Sequence, residues 1–190
     1  MCGHRSGWPQ TPRLQTDRLT LNINAASIPL DPANGAIQAI HDAFRTWDQA
    51  AKIGMTVHDS GGAGGPAEDG NSSIGWVRIV PPKTLAATWV WTTTVNGVEY
   101  VTEADVFFNL SQPWGVFNVC NALDVFEVGN GIFHEAGHLF GLDHVSDPGA
   151  QATMYPSAPR GEVRKRTLTT RDVEGAASAA ESAHLADKAA

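Results

Sequence analysis

The residues whose types and spacing could do chemistry lie in one stretch, His134-Glu135-Ala136-Gly137-His138-Leu139-Phe140-Gly141-Leu142-Asp143-His144. On a helix, positions i and i+4 stand roughly 40° apart around the axis and about 6 Å along it, so the imidazoles of His134 and His138 can converge on one ion. Neutral imidazoles bind zinc at about 2.0–2.1 Å. Glu135 stands next to the first of them, where its carboxylate can reach a water on the metal without being a ligand. His144 could not join them if the helix ran on, because it would sit roughly 9 Å beyond His138 and rotated away from it. The helix must end and the chain turn back. Gly141 stands where a left-handed residue at a helix C-terminus is wanted. Three neutral ligands leave the fourth zinc position open to water, whose pKa the ion lowers toward ~7, and Glu135 is then placed as the general base. That is the chemistry of hydrolysis at a polarised carbonyl.

A His-Glu-x-x-His run alone is as often two surface histidines beside a glutamate. The added glycine and third histidine, all at fixed offsets, would arise by chance with a probability on the order of one in ten thousand or less. Cys2 and Cys120 lack the paired spacing of a zinc ribbon, and they either bridge or stay as free thiols. The glycine-rich run Ser60–Ser73 has no Lys-Ser/Thr ending to make a phosphate cradle. Calcium held by Asp59, Glu68, Asp69 or Asn71 is one reading of it. A plain flexible turn is the reading favoured, since such clusters are ordinary loop chemistry.

The elements that must position these residues are legible as patterns. Residues 1–17 show little periodicity and read as an extended arm, leaving 18–190 as one domain. Residues 18–24 alternate polar and apolar, the period of a half-buried strand. Asp31-Pro32 supplies an N-cap and a first-turn proline for a helix whose apolar positions are Ile37, Ile40, Phe44, Trp47 and Ala51, with Gly54 as its stop. A short strand is expected near Ile74–Val80, ended by Pro81-Pro82. Leu85–Val95 and Val98–Asn109 flank Asn96-Gly97, the strongest two-residue hairpin signal. In the second strand Val98, Tyr100, Thr102, Ala104, Val106 and Phe108 share a face. No later strand is evident to cover the outer side of the first, which is expected at the sheet edge. Asp124 and Glu127 open the histidine helix in capping-box style, with Val125, Val128, Ile132, Ala136 and Leu139 as its apolar stripe. A last helix starts at Thr169-Thr170.

At 190 residues the chain can bury a sizeable core without disulfides or partners, and a monomer is expected. Its net charge of −7 argues against nucleic acid, which needs a basic face. No run of roughly 18 apolar residues is present to span a membrane. The first residues have no apolar signal-peptide core.

HEAGHLFGLDH followed by Ala152-Thr153-Met154-Tyr155-Pro156 resembles the metzincin clan of zinc peptidases and, within it, the matrixin family and its bacterial relatives. Leu19–Ile23, Ala43–Trp47, Glu103–Asn109 and Leu168–Gly175 resemble the family's first strand, first helix, last sheet strand and closing helix. The resemblance implies an α/β (α+β) fold, a metzincin-like catalytic domain with a twisted mixed sheet of about five strands, a backing helix, an active-site helix and a C-terminal helix. It implies that Met154 lies in a turn beneath the metal and that Asp172 braces that turn. It also implies a secreted or extracellular zinc endopeptidase. Val145 stands where animal matrixins usually have serine, and the loop that holds a second, structural zinc in them is missing, so one zinc is expected. Cys2-Gly3 resembles the pair that keeps animal matrixins latent, but its neighbours depart from that motif and an ordinary terminal cysteine is the reading taken.

The substrate expected is a protein or peptide, bound as an extended strand along the edge at Leu85–Val95 by main-chain pairing. Side-chain preference would come from the pocket beside the zinc, walled by Tyr155 to Leu168. Its Arg160, Arg164, Lys165 and Arg166 read first as a solvated basic loop and second as a specificity element. A catalytically silent zinc-binding or adhesion module and a zinc hydrolase of small amides are the alternatives. An intact Glu135 disfavours the first, and a long edge strand disfavours the second.

Overall fold

In a computed structural model, residues 13–14, 19–30, 33–119, 124–146 and 152–187 are described. Cys2, Asp31-Pro32 and Cys120, and the readings that rest on them, lie outside these residues. The elements in chain order are β1 (Arg13–Leu14), β2 (Thr20–Ile23), α1 (Asn34–Ala51), β3 (Thr56–His58), β4 (Ser73–Val77), β5 (Ala86–Val95), β6 (Val98–Asn109), β7 (Trp114–Gly115), β8 (Phe126–Glu127), α2 (Val128–Leu139) and α3 (Thr170–Asp187).

The sheet is built around β6. β3, β2, β4 and β6 pair in that order, all parallel, and β1 runs parallel to β6 at Tyr100 and Val101. The Arg13–Leu14 part of the N-terminal arm therefore belongs to the sheet. β5 pairs antiparallel with β6 and, among the described residues, with no other strand, so it is the edge. Asn96 and Gly97 both take left-handed backbones, with φ of 52° and 75°, the requirement of a type I′ turn whose twist matches its strands.

The face expected along β6 does not continue to its start. Trp91 pairs with Glu103 but Thr92 pairs with Val101, which leaves Thr102 as the extra residue of a bulge. Its hydroxyl donates to the Trp91 carbonyl (3.2 Å), and the alternation slips by one, so Val101 is buried and Thr102 exposed. Beyond the bulge Ala104, Val106 and Phe108 face the core as expected.

One continuous core joins that face to the helices. α1 buries Ala36, Ile40, Ala43, Phe44, Trp47 and Ala51, the i, i+3/i+4 stripe of an amphipathic helix. It packs against α2 and α3. Trp47 stacks on Phe140 (5.4 Å between centroids) and donates its indole N–H to the Phe133 carbonyl (3.0 Å), tying α1 to the histidine helix. Trp76 of β4 stacks on Phe108, which meets Trp114 edge-on. α1 ends at Lys52, itself left-handed, two residues before the expected Gly54.

The opposite face of β6 carries Glu103 and Asp105, both buried, and they organise the glycine-rich loop. Asp105 accepts from the backbone N–H groups of Ala67 (3.0 Å) and Ser73 (2.8 Å), and Glu103 from those of Asp69 and Gly70. Gly62 lies so close to β2 that a Cβ would meet the Asn22 carbonyl oxygen at 2.4 Å. The plain flexible turn expected here is instead a strap fastened to the sheet, because two buried carboxylates need donors and the loop's amides supply them. Among the described residues, the carboxylates considered for calcium form no group of three or more that could hold an ion. Asp59 pairs with His41, and Asp69 accepts from the Asn71 amide.

Candidate metal centre

α2 begins at Val128, later than the capping box proposed from sequence. Glu127 is its N-cap and accepts from the Asn130 amide (2.5 Å), while its carboxylate is also held by the Arg166 guanidinium, with Nε 2.9 Å from Oε2. Asp124 lies outside the helix and pairs with Arg160. Strand β8 occupies Phe126 and Glu127, paired with β7, and that pairing delays the helix.

α2 ends as its glycine demands. Gly141 is left-handed (φ 69°), its amide donates to the His138 carbonyl (2.9 Å), and the Leu142 amide donates to Gly137 (3.1 Å), the two bonds of a Schellman motif. The chain turns back and brings His144 beside His134 and His138. One ring nitrogen from each of the three lies within 4.8 Å of the other two, and the ring centroids stand 4.9–5.1 Å apart.

The proton positions follow from the partners. His134 Nδ1 lies 2.7 Å from the Thr153 carbonyl and His138 Nδ1 lies 2.7 Å from the Leu142 carbonyl. A carbonyl only accepts, so both Nδ1 atoms carry hydrogen and both neutral rings present a bare Nε2 to the cleft. His134 Nε2 faces His144 Nε2 at 3.2 Å, a separation at which two ring nitrogens need a proton or a cation between them. Burial holds His134 well below the ordinary histidine range, helped by His138 and the Lys165 cation, and burial likewise lowers His138. Buried neutral imidazoles with converging lone pairs suit zinc.

Glu135 is buried. Burial pushes its carboxyl up to about 7, opposed by a hydrogen bond from the Thr88 hydroxyl to Oε2 (2.8 Å) and by the Lys165 cation. Thr88 lies on the edge strand β5.

Met154 is fully buried beneath α2. A Cβ on Gly137 would meet its sulfur at 2.2 Å, so the glycine makes room for the methionine. Asp172 Oδ2 accepts from the Thr169 amide and hydroxyl (2.8 Å each) and, more weakly, from the Thr153 amide (3.4 Å), which links the start of α3 to the methionine turn.

The triad opens on a cleft of about 820 Å³. One wall is β5 from Ala86 to Val90, and the other runs through Tyr155–Pro159 and Lys165. The basic loop is solvated only in part: Arg160 and Arg164 are exposed, whereas Lys165 is only 5% exposed and Arg166 grips Glu127. The cause is a single 3-10 turn at Arg164–Arg166, fastened where the Lys165 amide donates to Asn130 Oδ1 (2.7 Å). Thr88 and the Thr153 carbonyl were not identified from sequence, since no fixed offset ties them to the histidines, and Lys165 was named only as one cation of the basic loop.

A family model described as Matrixin, of the M10 peptidases, matches residues 83–179, just over half of the chain. The chain belongs to the matrixin family. The match runs from the hairpin through the triad and methionine turn into α3 of this matrixin. Matrixins are zinc-dependent metallopeptidases, and the triad is positioned as a zinc site. No curated protein matches the chain. Among the described residues, no helix is long and apolar enough to cross a membrane.

Proposed function

We propose that this matrixin is a zinc endopeptidase that cuts internal bonds of proteins held as an extended strand against β5, acting outside the cell as a monomer. The observation that carries the reading is the meeting of one ring nitrogen from each of three histidines and a buried carboxylate in a cleft walled by the outer edge of β5.

His134, His138 and His144 would hold the metal through Nε2, and zinc there supplies a Lewis acid for the scissile carbonyl and a more acidic water. Glu135 takes the proton of the attacking water and returns it to the leaving amine. Thr88 fixes the carboxylate that does so. The outer edge of β5 offers its unpaired amides and carbonyls to the substrate backbone, a pairing indifferent to side chains that suits proteins better than small amides.

The test is an internally quenched peptide library incubated with the zinc-loaded chain, with and without chelator. Glu135→Ala should keep its zinc and lose at least ~10²–10⁴-fold in rate. Wild-type turnover in that variant would place the base elsewhere, and a zinc-loaded wild type that cuts nothing would favour the silent module.

A further inference from the structure

The cation in the cleft wall feels the carboxylates of Glu162, Asp172 and Glu135, but it forms no ion pair among the described residues. Lys165 is 5% exposed and lines the cleft opposite β5. Its ammonium donates to the carbonyls of Thr153 (3.1 Å) and Tyr155, and it lies 5.7 Å from the centre of the Tyr155 ring. An ammonium has three N–H groups, and two carbonyls leave one of them. Among the described residues no carboxylate lies within ion-pair distance of it. The other charges of that wall are matched: Glu127 is gripped by Arg166, Arg160 by Asp124 and Arg164 by Glu162.

A buried cation without an ion-pair partner is costly, and one that lines a cleft is completed by an incoming anion. The location narrows what that anion belongs to. The Thr153 carbonyl accepts from both Lys165 and the ring of His134, so the ammonium is one oxygen away from the first histidine of the triad. A group reaching it must belong to a residue next to the bond being cut.

We infer that Lys165 selects substrates with a glutamate or aspartate side chain adjacent to the scissile bond, the carboxylate completing the ammonium's hydrogen bonds in the cleft. This rests on the endopeptidase reading above and names the substrate class for it.

Two measurements on the full chain separate the two claims. The first compares cleavage of paired internally quenched peptides that differ only by Glu or Gln beside the cut bond. The second measures binding of the same pair, fluorescently labelled, to zinc-loaded Glu135→Ala by anisotropy. A charge-assisted hydrogen bond predicts a Glu-over-Gln preference of roughly ten- to a hundredfold in both. Lys165→Met, which keeps the buried stem, should bring that ratio to about one, and Lys165→Arg should retain part of it. Equal handling of Glu and Gln by wild type, or a preference that survives Lys165→Met, overturns the inference while cleavage itself upholds the endopeptidase reading. Preferential binding of the Glu peptide without cleavage of any peptide has the opposite meaning: the acidic preference stands and the endopeptidase reading falls.

Discussion

Two backbone carbonyls, of Thr153 and Leu142, decide which nitrogen of His134 and His138 faces the cleft. Each consumes the Nδ1 hydrogen of its ring, so both rings are set for a cation before one arrives, and little reorganisation accompanies binding. The carboxylate between them is held from another direction, by Thr88, 47 residues earlier in the chain. Thr88→Val keeps the shape and removes that donor. Because a hydrogen bond to a charged group contributes ~1.5–3 kcal/mol, kcat should fall by about tenfold or more with zinc content unchanged. An unaltered kcat would mean that the backbone alone orients Glu135. The histidines and glutamate were legible in sequence because one helix and its turn contain them all. Thr88 was not, sitting in a strand of threonines and alanines where nothing marks one hydroxyl over another.

Each element near the site has a fastening that sets its position. In α2 it is Gly137, whose missing side chain admits Met154. A Cβ there would lie 2.2 Å from the sulfur and 3.2 Å from Trp47 Cζ2. Overpacking of this kind costs ~1–3 kcal/mol, and more where neighbours cannot move. The gain in helix propensity from glycine to alanine, ~1 kcal/mol, offsets only part of it. Gly137→Ala should therefore lower the urea midpoint, and an unchanged midpoint would show that Met154 can swing aside.

In the strap over β6 the fastening is Asp105. Burial raises its pKa above the ordinary 3.8, aided by the nearby charges of Glu103 and Asp69, and the amides of Ala67 and Ser73 oppose the rise. A raised folded-state pKa means that the native state holds the proton where the unfolded chain has released it. The contribution of Asp105 is then complete below 3.8 and declines as pH climbs through the folded value. Asp105→Asn removes that titration but turns one acceptor into a donor facing a backbone N–H. The variant should be less stable than wild type by ~1–3 kcal/mol in acid, with the gap narrowing toward neutral pH in urea titrations. A gap that widens with pH would reverse the assigned shift. Neither fastening was visible in sequence: Gly137 looked like one more glycine of the motif, and Asp105 like a charged residue on a strand.

At the scale of the molecule the triad ties the end of α2 to the segment that follows it, and Thr153 ties the methionine turn to both. An ion that binds the triad and not the unfolded chain stabilises the whole by RT ln(1 + [Zn]/Kd), ~4 kcal/mol at a thousandfold excess over Kd. For a chain of this size that corresponds to a rise of about 10 °C in Tm. One equivalent of zinc by elemental analysis is expected, and a chelator should abolish cleavage and lower Tm together. Two equivalents would reveal a second site, and a Tm indifferent to chelation would show that the triad is rigid without metal or already unfolded around it.

The sequence by itself determined the features whose causes are short-range. A helical i, i+4 pair, a glycine that must be left-handed and a histidine that must come back lie within eleven consecutive residues, so local geometry alone decides that they meet. Asn96-Gly97 likewise determined a hairpin because its own two dihedral pairs set the turn, and no later described strand covers the outer edge of β5. The tertiary structure decided what depends on partners far along the chain. Whether Thr102 bulges is decided by how β5 pairs with β6. Where α2 begins is decided by the pairing of β7 with β8. Whether the Arg164–Arg166 turn meets water or the cleft is decided by Asn130 and Glu127, more than thirty residues earlier. A run of cations carries no local signal of which one will be buried. That Lys165 is the one turned inward, beside the first histidine, is a property of the packed molecule.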